Sequence, residues 1–319
     1  MTRPARRALP ALLATLLVAP ALAACGSDDE PAPTTDRAGA RTPLPATDDK
    51  LRDLLPADVR ERGTLELGAL WETPPVIGVT ASDTSTPVGI APDLATAIGG
   101  LLGLEVSWQN LQWPAQLPGV QSGSVDALFG QVTATAEREQ AVVDLVPFLE
   151  STFSVLLTAD AAEGVTGLAD LCGTTLAVPV GSVQGAALAE LNEDECAGDA
   201  VEIAEYQGAT LAISAVKAGS ADGWIDNTVS TLEAAEADSS LANVELAPSD
   251  LAPSINAIAV SKESPELTEA LVGALRRLAE EGTYGEVLAA HGFEAAAIGA
   301  DALRANPITG TAVGATARR

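Results

Sequence analysis

LPGVQSGSVDAL (Leu117–Leu128) and, further along, AVKAGSADGWIDN (Ala215–Asn227) carry the two local patterns on which the fold turns. Each sits in a series that alternates between strand-like and helix-like segments. Around the first, Thr64–Leu70, Leu104–Trp108, Ser124–Phe129 and Phe153–Thr158 read as strands, and Pro92–Leu102 and Ala115–Gln121 as helices. Around the second, Leu168–Leu171 is a short helical turn. Thr175–Val178, Val201–Ala204 and Ala221–Asp226 read as strands, and Val183–Asn192 and Ala209–Ala218 as helices. Strands alternating with helices of about ten residues predict parallel sheets covered by helices. Two such series predict two α/β lobes, with ligand-contacting loops at the carboxyl ends of the strands. After Asn243–Leu246 come Ile255–Val260, an amphipathic helix over Glu266–Glu280, and a short helix over Tyr284–Ala290 that stops at Gly292. That tail fits a chain returning to the first lobe. Crossings near Thr158 and Ile258 would then make a two-stranded hinge. The expected division is lobe 1 at 56–157 and 256–305, lobe 2 at 158–255, and a disordered tail at 306–319.

The other end of the chain speaks to compartment. Arg3, Arg6 and Arg7 precede an apolar run from Ala8 to Ala24 that Pro10 and Pro20 interrupt. It is too short for a stable span and reads as a signal peptide over 1–24. It ends in Leu22-Ala23-Ala24-Cys25-Gly26, which resembles the bacterial lipobox, where the cysteine becomes the lipid-carrying first residue. An ordinary cleavable signal containing a cysteine is the alternative. Residues 25–55, rich in Pro, Thr, Asp and Ala, have no periodic apolar pattern and read as a flexible tether.

Forty-four acidic residues face seventeen basic ones, a net charge of −27. Loss of the signal peptide removes three arginines and no acid. Such a field repels nucleic acid and polyanionic partners. Cys172 and Cys196 remain as a pair in an oxidising compartment, which favours a disulfide, with two free buried thiols as the alternative. Two cysteines and the distant His291 do not make a metal-ligand set. No cofactor motif is present.

Several runs together resemble the bacterial extracellular solute-binding proteins of family 3, the amino-acid type. They are Gly63–Gly68, Pro74-Pro75, Gly89–Leu94, Trp113 with Leu117–Leu128, Thr133–Glu139, Val142–Ser151, Leu168–Gln184, Ala215–Asn227 and Glu280–Gly292. The resemblance implies a type II periplasmic-binding-protein fold whose lobes close on one ligand, and a monomer that delivers it to ABC permease subunits without being an enzyme itself. It also supports a Cys172–Cys196 bridge, since a subgroup carries cysteines in these places.

The same resemblance proposes a ligand set. Arg138 matches the family's carboxylate clamp, a task that suits a planar fork of donors. It is the one basic residue between Arg62 and Lys217. A surface arginine paired with Glu137 or Glu139 is the alternative. Gly130, Gln131 and Thr133 stand where relatives bind ligand through backbone amides and hydroxyls, although Thr133 also reads as a helix N-cap. Ser182, Val183 and Gln184 open a helix whose amides and dipole suit an anion. Asp226 matches the second-lobe aspartate that meets an ammonium, whereas Asp222 matches a structural turn.

Trp113 is placed to cover the ligand side chain, while Thr73 replaces an aromatic that many relatives have. Trp71 could stand in for that platform or be plain core. Leu70 occupies the place of the acid that binders of basic amino acids carry, which points to a neutral or modified amino acid. The competing functions are a dehydratase of aromatic amino-acid precursors, with Glu72 or Glu150 as general acid, and a ligand sensor without transport.

Overall fold

The computed structural model describes residues 45–315 apart from residue 197. The predicted signal peptide, Cys25 and the first part of the tether lie outside the described residues. The ordered chain begins with two short helices, α1 (Asp49–Arg52) and α2 (Ala57–Arg62), and the strand β1 (Thr64–Ala69). Then follow α3 (Ile90–Leu102), β2 (Glu105–Asn110), α4 (Trp113–Gln121), β3 (Ala127–Thr133), α5 (Ala136–Ala141) and β4 (Val143–Ser151). The second lobe runs through β5 (Phe153–Thr158), β6 (Thr175–Pro179), α6 (Val183–Asp194), β7 (Glu202–Tyr206), α7 (Ala209–Ala218), β8 (Gly223–Asn227), α8 (Thr228–Ala237) and β9 (Leu241–Glu245). The chain returns through β10 (Ser254–Ser261), α9 (Pro265–Glu281) and α10 (Thr283–Ala290).

Two five-stranded sheets result, ordered β2-β1-β3-β10-β4 and β7-β6-β8-β5-β9. In each, three strands are parallel and the last two close the sheet antiparallel. The predicted two-lobed α/β architecture is therefore present, with its crossings displaced. Phe153–Thr158 pairs with β8 and β9, so the first crossing falls at Thr152 rather than near Thr158. Ile258 lies inside the first sheet, and the return crossing occupies residues 246–253. The hinge spans remain two.

Both faces of the first sheet are buried, and strand periodicity divides them. Ile258 and Val260 join the leucine-rich core beneath α3 and α9, while Ala257 and Ala259 face the cluster beneath α4. Leu267, Leu271, Ala274, Leu275 and Leu278 form the buried stripe of α9. Their spacing is that of one helical face. α3 starts at Gly89, whose φ of 130° excludes ordinary side chains. A Cβ there would stand 2.5 Å from the Pro75 carbonyl oxygen, so the entry to α3 requires glycine. The predicted Cys172–Cys196 disulfide is formed, with 5.5 Å between its Cα atoms.

Two boundaries differ from expectation. The presumed tether is already structured before residue 55. Asp48 caps α1 and its amide donates to Leu101, and Leu55 is buried in the first-lobe core. Residues 306–315, read as a disordered tail, pack on the first lobe, where Asn306 is fully buried. The polar composition of both stretches concealed groups that bond to distant parts of the first lobe rather than to water.

Candidate ligand-binding site

The carboxyl ends of parallel strands from both lobes face one cleft enclosing about 660 Å³ of space, its mouth included. The first lobe contributes Leu70 and Thr73 after β1, Trp113 and Gln116 from α4, and Gln131, Thr133 and Arg138 around β3. The second contributes Pro179, Ser182, Val183 and Gln184 after β6, Tyr206 to Ala209 after β7, Ala212, and Trp224, Asp226 and Asn227 of β8. This is where ligands bind in open α/β sheets.

Arg138 sits on α5, which Thr135 caps by accepting from the Arg138 amide. The cap is thus Thr135, not Thr133. Thr133 supplies its carbonyl oxygen to Arg138 Nη1 at 2.6 Å. The guanidinium carbon lies 5.2 Å from the centre of a Trp113 ring, a favourable cation–π placement. Burial pushes the Arg138 pKa below its ordinary value, opposed by the nearby Glu137 carboxylate. Arginine stays protonated regardless. Among the described residues Arg138 makes no salt bridge, so the pairing with Glu137 or Glu139 does not form.

Asp226 is 6 % exposed. Its Oδ1 accepts from the Asn227 amide, Asn227 Nδ2 and Gln184 Nε2 at 2.7, 3.1 and 3.3 Å. Those three bonds all fall on one oxygen. Burial nevertheless dominates and pushes the carboxyl up to about 6, with the Asn227 bonds working the other way. Its second oxygen has no protein donor among the described residues. Asp222 instead accepts from the Thr175 amide at 2.8 Å, the structural task expected of it.

Ser182 caps α6 through Gly185. The amides of Val183 and Gln184, in the first helical turn, have no partner among the described residues and share the cleft. Gln131 reaches across it: Nε2 donates to Ser230 Oγ on α8 at 2.7 Å, and Oε1 accepts from Asn227 at 3.4 Å. Thr73 also lines the cleft.

Two expected site residues do not. Gly130 lies within the first sheet, where a Cβ would come 3.2 Å from that of Ala69, so it serves close strand packing. Trp71 packs against the first-lobe core, its Nε1 without a partner among the described residues. Neither possible general acid lines the cleft. Glu150 is exposed on β4. Glu72 stands at the rim, its Oε2 so near Gly208 that a Cβ there would come within 2.8 Å. The β7–α7 turn, Tyr206-Gln207-Gly208-Ala209, was not anticipated. Its signal was a glycine between a strand and a helix, the position that admits a close approach.

The sequence profile of the bacterial extracellular solute-binding proteins, family 3, matches residues 65–293. An arginine-binding protein, ArgT, of Corynebacterium glutamicum is 26 % identical over 295 residues, covering 91 % of this chain and 93 % of the relative. Among solved structures, a mutant of the arginine-binding protein ArgBP from T. maritima superposes with a TM-score of 0.64 at 22 % identity, covering 76 % of this chain and 98 % of that one. An ancestral arginine-binding protein bound to arginine gives 0.65 at 24 % identity, over 72 % and 99 %. These superpositions establish the type II periplasmic-binding-protein fold. With its profile match running from β1 to the end of α10, the chain belongs to the bacterial extracellular solute-binding proteins, family 3.

Proposed function

We propose that this protein is the extracytoplasmic substrate-binding component of an ABC importer, and that it holds an amino acid in the interlobe cleft. The observation that carries this reading is the pairing of opposite charges on opposite walls. Arg138, without a carboxylate partner among the described residues, shares the cleft with Asp226, a buried carboxylate one of whose oxygens takes no hydrogen bond from them. A zwitterion satisfies both. Its carboxylate takes the guanidinium and the amides of Val183 and Gln184, and its ammonium takes Asp226. Charge-assisted hydrogen bonds of this kind are roughly twice as strong as neutral ones. Lipid on Cys25 would anchor the protein to the outer face of the membrane beside its permease. Replacing Cys25 with Ser would then release it.

The side chain of the ligand meets Leu70, Trp113, Tyr206 and Trp224, with Gln116 and Gln207 as amides. Asp226 is the one carboxylate in that lining and the ammonium occupies it. This supports a neutral side chain, although the relatives are named for arginine. A thermal-shift panel of the L-amino acids, followed by calorimetry, tests the reading. A neutral amino acid is expected to bind about tenfold or more tighter than arginine, a difference of about 1.4 kcal/mol. Tighter binding of arginine would overturn the neutral assignment and point to Glu72 as partner of the side chain. No binding by any amino acid would overturn the function.

A further inference from the structure

The family match ends at residue 293, but the chain continues through turns at Glu294–Ala296 and Ala300–Ala302 and then crosses the first lobe as a strap. Leu303 and Asn306 are fully buried within it. Asn306, with φ of 54°, exchanges two hydrogen bonds with Leu145: its amide donates to the carbonyl at 2.7 Å and its Oδ1 accepts from the amide at 2.9 Å. Asparagine tolerates this left-handed conformation better than most residues. The strap also caps two fully buried carboxylates of the first lobe. Asp144 accepts from Asn306 Nδ2 and the Gly314 amide, and pairs with Lys262 at 3.0 Å. Glu139 makes no salt bridge among the described residues. The donors to its oxygens are the Ile308 amide at 2.9 Å, and the Thr309 amide and Oγ1, both at 2.7 Å.

Glu139 follows Arg138 on α5, a helix of six residues. So short a helix is not stable by itself and takes its position from what it packs against. Three strap donors on one buried carboxylate supply that packing, because without them Glu139 would have to turn outward to water and carry α5 with it. We propose that the strap positions the ligand clamp: by holding Glu139 it fixes α5, and thereby the direction in which Arg138 presents its guanidinium to the cleft. The strap lies beyond residue 293, where the family match ends, and its proposed role rests on the reading of Arg138 as the carboxylate clamp.

The test is a double-mutant cycle by calorimetry on the full soluble chain, with the tightest-binding L-amino acid of the panel as probe. Glu139→Gln keeps the shape but turns an amide towards the strap's donors, and is expected to weaken binding about tenfold, whereas in an Arg138→Ala background it should change nothing further. Full affinity in Glu139→Gln, or an equal loss in both backgrounds, would overturn the proposal, because a merely structural residue would act independently of Arg138. Should Glu139→Gln fail to fold, Thr309→Val removes one of the three bonds. The expected loss is then about threefold, again only where Arg138 is present, and no loss overturns the proposal. Arg138→Ala binding as wild type would overturn both this inference and the assigned clamp. Loss in Arg138→Ala with none in the strap variants would overturn this inference alone.

Discussion

The first lobe arranges β2, β1 and β3 in parallel and finishes with β10 and β4; the second arranges β7, β6 and β8 the same way and finishes with β5 and β9. In both, an aspartate before the third parallel strand ties down the first. Asp126 accepts from the Glu66 amide, and Asp222 from the Thr175 amide. The scaffolds are equivalent down to this hydrogen bond, and they diverge where the strands end. The first lobe delivers a cation there, Arg138, and the second an anion, Asp226. They diverge in support as well. The first lobe has the long α9 and a broad aliphatic core, while the second has smaller clusters and the disulfide. On the proposed reading, a repeated framework with unlike edges would let two similar walls meet the two unlike ends of one molecule.

The disulfide gives the largest expected difference between the lobes. Cys172 and Cys196 close a loop in the second lobe alone, their sequence separation being 24. Replacing both with Ser should destabilise that lobe by about 3 kcal/mol in the chain-entropy model. Hydrogen exchange should show the loss in β6, β7 and α6 and leave β1, β2 and α3 unchanged. Uniform loss across both lobes would mean that they unfold as one unit.

A smaller effect separates the two charged groups by pH. Burial pushes the Asp226 carboxyl up to about 6. The unfolded value is near 3.8, so the folded state binds the extra proton between these limits. Burial of this group therefore opposes folding increasingly as pH rises from about 4 to 6, and fully above that. Binding runs the other way, since an ammonium requires the ionised carboxylate. Affinity should rise about tenfold from pH 5 to 7 and then level. Arg138 does not titrate in this range. In Asp226→Asn the rise should vanish, and a persistent rise would assign it to another group.

The sequence carried much of this because strand ends in an alternating α/β chain are legible from turn residues and apolar runs. Arg138 stood out as an isolated cation, and Asp226 by its place at the end of a strand. β4 was not read as a strand. Val143–Ser151 is apolar on both faces, so it lacks alternation, and Pro147 argued against it. Proline is tolerated there because β4 is an edge strand whose register shifts beside Pro147. With no turn signal between β4 and β5, the crossing at Thr152 was equally hidden. The strap and α1 were missed because their bonds are to residues far away in sequence, which local pattern cannot show. Gly130 was misplaced since a glycine beside site residues serves strand approach as readily as ligand approach.

The central claim is that Arg138 of the first lobe, joined by the Val183 and Gln184 amides, reads the carboxylate of the ligand while Asp226 of the second lobe reads its ammonium. Calorimetry decides it, using the tightest-binding L-amino acid and its carboxamide against wild type, Arg138→Ala and Asp226→Asn. Wild type should prefer the free acid by about 2–5 kcal/mol, the range for breaking one side of a buried charged pair. Asp226→Asn should bind both compounds more weakly and keep that preference. Arg138→Ala should lose most of it, keeping only the small preference that the Val183 and Gln184 amides supply. An Arg138→Ala protein that still favours the free acid as strongly as wild type would contradict the account.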